Sequence, residues 1–106
     1  MEYLTSDEIA MIFERWLTRR VRRIKEPAKF FCALCTEPEF GSYLHVCEDM
    51  SQHKNIRLIC EFEANNPDER PSRVLFKESI EKNWNFLSEI KRSSYEQELK
   101  EAQEHS

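Results

Sequence analysis

Apolar positions along this chain recur at two different periods, and the change of period divides it. Ile9, Ile12, Phe13, Trp16, Leu17, Val21 and Ile24 return every three or four residues, the spacing that gathers side chains on one face of a helix. The pattern predicts a helix over residues 5–25. Thr5 followed by Glu8 forms a capping-box sequence, with Leu4 and Ile9 at the flanking staple positions. Pro27 disfavours helical backbone at Glu26 and sets the end.

Beyond Pro27 the period shortens. Phe30-Phe31-Cys32 reads as a short strand entering a Cys-x-x-Cys turn, and Pro38 and Gly41 interrupt the next stretch. Residues 42–53 are expected to form a short helix capped by Ser42. The alternative is a strand, since Tyr43, His45 and Cys47 alternate. Residues 55–64 read as a strand with Ile56, Leu58, Cys60 and Phe62 on one face. After the polar stretch 65–71, residues 73–77 read as a second strand that closes a hairpin with the first. From Glu78 the helical period returns through Ile80, Trp84, Leu87 and Ile90, then fades. The resulting expectation is an α+β fold: a long N-terminal helix, a small metal-stabilised centre with a short antiparallel hairpin, and a C-terminal helix. Residues 1–92 would form one domain, and 93–106 a solvated helix end or flexible tail.

With 106 residues, the chain suits a single domain of modest core, for which a metal clip would help folding. No run approaches the roughly 20 apolar residues of a membrane span. The N-terminus is acidic and has no apolar signal core, so a nuclear or cytoplasmic location is expected. Stable disulfides are disfavoured there, which leaves the four cysteines as free or metal-bound thiols.

Six soft or borderline donors, Cys32, Cys35, His45, Cys47, His53 and Cys60, fall close together in the middle of the chain. Thiolate sulfur and imidazole nitrogen suit zinc in tetrahedral geometry. Phe31, Cys32-x-x-Cys35, Phe40, Leu44, Cys47 and His53 together resemble a zinc finger of the Cys2His2 type in its Cys-Cys-Cys-His variants. The resemblance covers residues 30–53. Eleven residues separate Cys35 from Cys47, where that family has about twelve, and Cys47 stands where a His is usual. It implies one structural Zn²⁺ held by Cys32, Cys35, Cys47 and His53, with the last two ligands on a helix and Phe31, Phe40 and Leu44 as packing residues. A rival ligand set, Cys32, Cys35, His45 and Cys47, arises if residues 42–48 are a strand. Cys60, the spare donor, shares a face with core residues.

The net charge of −4 hides an asymmetry. Residues 1–31 hold seven Lys/Arg against five Asp/Glu, and the remainder nine against fifteen. Arg15, Arg19, Arg22 and Arg23, with Lys25 beyond them, form a cationic stripe opposite the apolar face of the first helix. It can neutralise phosphates or pair with acids of the second half, such as Glu78, Glu81 and Glu89. No glycine-rich phosphate loop or nucleophile elbow is present, and no enzymatic activity is expected. A small cysteine-dependent enzyme is the third alternative, because Cys and His are both available. The leading expectation is a zinc-binding protein–protein interaction module in a nuclear or gene-regulatory assembly, with Trp16 and Trp84 as anchors for a partner. The second is nucleic-acid binding through the basic helix.

Overall fold

A computed structural model describes residues 2–104 of the chain. The first helix, α1, spans Ser6–Val21. The Thr5 hydroxyl accepts the Glu8 amide at 3.2 Å, and the Glu8 carboxylate accepts the Thr5 amide at 3.1 Å. Two otherwise orphaned N–H groups are thereby satisfied, and Asp7 and Glu8 complement the helix dipole. The helix closes at Arg22, short of the expected residue 25. There the Arg23 amide donates to the Arg20 carbonyl and the Ile24 amide to that of Val21, the tightened pattern common at helix ends.

Three antiparallel strands come next: β1 (Ala28–Glu37), β2 (Gly41–Cys47) and β3 (Ile56–Ala64), in the order β2-β1-β3. The strand alternative for residues 42–47 is therefore the one realised, and the Ser42-capped helix is not. A three-residue connection, Pro38 to Phe40, joins the paired residues Glu37 and Gly41. Gly41, the only glycine, takes φ of 75°, a left-handed conformation that such hairpin loops demand and other residues adopt with strain.

Residues 73–77 also differ from expectation. They open helix α2 (Arg73–Lys82), because the Ser72 hydroxyl accepts the Val74 amide at 3.2 Å and caps it. Phe76 and Ile80, at helical spacing, are its buried positions. The expected hairpin between 55–64 and 73–77 accordingly does not form, and β3 pairs with β1 instead. The second helix is broken at Asn83, where a short α3 (Trp84–Leu87) begins. A single 3-10 turn, Arg92–Tyr95, then leads into α4 (Glu96–Glu104).

All the helices join one core with one face of the sheet. It contains Ile9, Ile12, Phe13 and Leu17 of α1, Phe30, Cys32 and Leu34 of β1, Leu44 and Val46 of β2, Cys60 and Phe62 of β3, and Phe76, Ile80 and Leu87 of the later helices. A bulge in β3 sets which side chains reach it. Cys60 is paired with Cys32, but Leu58 is paired with Ala33, leaving Ile59 as an extra residue. The four residues expected on one face are thereby split: Cys60 and Phe62 keep the core side, while Ile56 and Leu58 turn with Cys35 and Ala33 to the other.

The segment expected as a solvated end or tail is docked over its described part, and residues 105 and 106 lie outside that part. Tyr95, Leu99 and Ala102 are buried, and Glu101 bridges Arg15 at 2.7 Å and Arg19 at 2.9 Å. The N-terminal segment is tied to the same region, with the Leu4 amide donating to Ile90 and the Arg92 amide to Glu2. The Tyr95 hydroxyl accepts the outward-facing amide of Leu44 on edge strand β2. No described helix is long and apolar enough to cross a membrane.

Docking of the C-terminal segment is measurable in two ways. Leu99→Ala should destabilise the protein by about 2–5 kcal/mol, measured by denaturant unfolding, whereas a flexible tail would give no change. Burial raises the Tyr95 phenol to about 12, whereas an unfolded tyrosine ionises near pH 10. Its contribution is thus complete below about pH 10 and is lost as pH rises toward 12. Unfolding free energy measured at about pH 9 and about pH 11 should fall more in the wild type than in Tyr95→Phe. That variant should itself cost about 1–3 kcal/mol near neutrality, because the Leu44 amide loses its acceptor.

Candidate metal centre

Successive side chains of a strand point to opposite faces, so an odd separation divides two residues and an even one unites them. The Cys-x-x-Cys pair lies inside β1 rather than in a turn. Cys32 therefore faces the helices while Cys35 faces away. His45 and Cys47, two apart on β2, lie on the face that carries Cys35, as the pairings Cys35–Tyr43 and Ala33–His45 require.

The chain beyond β2 returns over this face. Asp49 caps a single 3-10 turn, Met50–Gln52, accepting the Ser51 amide at 2.9 Å and its hydroxyl at 2.6 Å. His53 closes that turn with its amide on the Met50 carbonyl, and its ring lies 4.5 Å from that of His45, centroid to centroid. Donor atoms of His45, Cys47 and His53 all lie within 4.8 Å of one another. The Cys35 sulfur is 3.9 Å from Nδ1 of His53. Zinc bonds of about 2.0–2.3 Å imply donors roughly 3.5 Å apart around a tetrahedron; the Cys35–His53 separation is near that value, and the donors of His45, Cys47 and His53 would draw in by up to about 1 Å on binding.

Electrostatics favour the uncharged forms of Cys35, His45 and Cys47. Burial raises the Cys35 thiol, with Glu37 adding to the effect and Tyr43 opposing it. Burial also raises Cys47, and Cys35 adds to it. The His45 imidazole is lowered by burial, and then by His53 and Arg20. Neutral imidazole is the form that binds a metal, and a cation would supply the charge that buried thiolates lack. The same shifts disfavour a free thiolate nucleophile.

The other expected donors lie elsewhere. Cys32 is fully buried in the helical core and paired in register with Cys60; the neighbouring Cys60 and burial push its thiol far up. Of the set implied by the zinc-finger resemblance, Cys47 and His53 come together, Cys35 is beside them, and Cys32 is across the sheet. His45, an alternate, joins the group. The last two ligands sit on a strand and a 3-10 turn rather than on a helix. Phe31 is partly buried, Leu44 is buried in the helical core, and Phe40 is 76% exposed at the hairpin tip.

Beside the donors, the hairpin tip and the loop before β3 enclose a cleft of about 450 Å³ reached by Cys35, His53 and Phe40. Trp16 packs on Phe13 and Tyr95, and Trp84 lies against the core, both partly buried. The basic stripe is partly neutralised, by Glu101 rather than by Glu78, Glu81 or Glu89, because α4 docks along α1. Comparisons with protein families, with curated proteins and with solved structures find no match for the chain.

The division of the cysteines between two faces has a direct test. Cys47→Ala should abolish retention of a divalent metal by the purified protein, measured by elemental analysis. Cys32→Ala should retain it, while lowering stability through the core cavity it leaves.

Proposed function

We propose that this protein is a metal-stabilised protein-interaction module in which one structural zinc is held by Cys35, His45, Cys47 and His53. The observation that carries this reading is the convergence of His45, Cys47 and His53 within 4.8 Å, with Cys35 at contact distance of the last. Two sulfurs and two imidazoles form a donor set that favours zinc over the harder cations. Four protein donors leave no open position, as in structural rather than catalytic sites. This reading keeps Cys35, Cys47 and His53 of the ligands that the zinc-finger resemblance implies, puts His45 in place of Cys32, and sets them on a sheet face instead of a helix.

A metal here pins His53, and with it the loop that forms one wall of the cleft. The exposed Phe40 forms the other. An apolar side chain of a protein partner fits between them, since a large exposed aromatic beside a rigid cleft is the pattern of an interface anchor. The raised Cys35 thiol is a poor nucleophile on its own, and a bound cation would stabilise its thiolate.

Native mass spectrometry of the full chain should find one zinc per molecule. Chelation should lower the melting temperature sharply, since structural zinc contributes about 10–16 kcal/mol of apparent binding free energy. A bare-chain mass together with unchanged melting in chelator would refute the metal. Phe40→Ala should keep the zinc and the fold, yet lose any polypeptide that co-purifies with the wild type; retention of that polypeptide would refute the docking surface.

A further inference from the structure

The arginines of α1 do not act as one stripe. Arg20 and Arg23 face β2 and the chain after α1. Arg15 and Arg22 instead turn toward the segment that enters α2, and Arg19 borders both sides; Arg70 and Arg73 meet them there around a cavity of about 520 Å³. Five guanidinium side chains from two separate parts of the chain thus line one space. Met11 and Pro71 give it an apolar wall.

Intramolecular acids satisfy only part of this charge. Glu101 holds Arg15 and Arg19, and Glu14 holds Arg73 at 3.4 Å. Among the described residues, Arg22 and Arg70 have no carboxylate within ion-pair distance. Guanidinium groups favour phosphate oxygens, which they bind through paired N–H donors. The cavity volume is in the range of small-molecule sites, about 300–1,000 Å³.

We infer that this cavity between α1 and the 70–73 segment is a binding site for a small oligophosphate, of the class that includes pyrophosphate and nucleoside diphosphates. Linked phosphates match the array, because several guanidiniums must be neutralised within one bounded space. Met11 and Pro71 offer a surface against which an attached organic group can lie. Arg22 and Arg70 are the recruiting residues, free of the contacts that dock α4. This site is on the helical side of the protein and does not rest on the metal reading.

Isothermal titration calorimetry of the full chain with inorganic pyrophosphate and with ADP tests it. Both should bind with one site per chain and weaken as salt is raised. The double variant Arg22→Ala/Arg70→Ala should bind at least tenfold more weakly, with unchanged circular dichroism. The charge-matched control Arg20→Ala/Arg23→Ala should stay within twofold of the wild type. Binding of ADP without pyrophosphate would overturn the phosphate assignment. The proposal is also overturned by no measurable binding of either probe at millimolar concentration, or by equal losses in the two double variants. A single-stranded oligonucleotide that binds and is not displaced by pyrophosphate would assign the arginines to a nucleic acid instead.

Discussion

A side chain on a strand has only two directions available, and everything distinctive in this protein stems from how β1 uses them. Phe30, Cys32 and Leu34 point into the helices, while Ala33 and Cys35 point to the opposite side. The central strand has β2 on one edge and β3 on the other, so its faces are its only freedom. One is covered by four helices. The other is covered by a single 3-10 turn that ends in His53. The division of labour between an apolar core and a polar, metal-competent surface is thus the pleat of one strand.

The two faces are covered by different forces. On the helical side, burial of aromatic and branched side chains supplies the driving force, and contacts such as Phe13 with Phe76 at 6.4 Å link the first helix to the second half. On the other side the apolar material is thin: Ala33 is small, Leu58 is partly exposed, and the ring of His53 lies over thiols. A metal ion held by His45, Cys47 and His53 would replace there the hydrophobic area that a chain of this size cannot supply twice. The exposed Arg57 lies over the Phe86 ring at 3.4 Å, so even the helical side uses a cation to cover its margin.

Legibility in the sequence tracked the strength of local signals. The first helix was readable because its period, its Thr5–Glu8 cap and Pro27 all agree. The α+β class was readable from the change of period. Strand β3 was located, but its facing was not, since the bulge at Ile59 depends on pairing with β1 and leaves no mark in an alternating pattern. In residues 73–77, Val74 and Phe76 alternate like strand positions, whereas the Ser72 hydroxyl on the Val74 amide makes them the first turns of a helix. The donor cluster was visible as composition. Its grouping was hidden because Cys-x-x-Cys suggests a turn, and only the continuation of β1 through Cys35 separates its two sulfurs. The contributions of Arg70 and Arg73 were invisible for a different reason: they reach α1 only through the tertiary packing of α2.

The bridge between Tyr3 and Lys91 has a consequence for how the protein is made. The first helix leaves the ribosome early, with its apolar stripe exposed, yet the segment that holds its entry is synthesised long afterwards. The hairpin of β1 and β2 can form while translation continues, since its partners are neighbours in the chain. The closing contact cannot, and its wide sequence separation imposes a large loop-closure cost. Folding of the nascent chain is therefore completed only after Lys91 has emerged, although Phe76 of α2, which covers Phe13 of α1, is made before it.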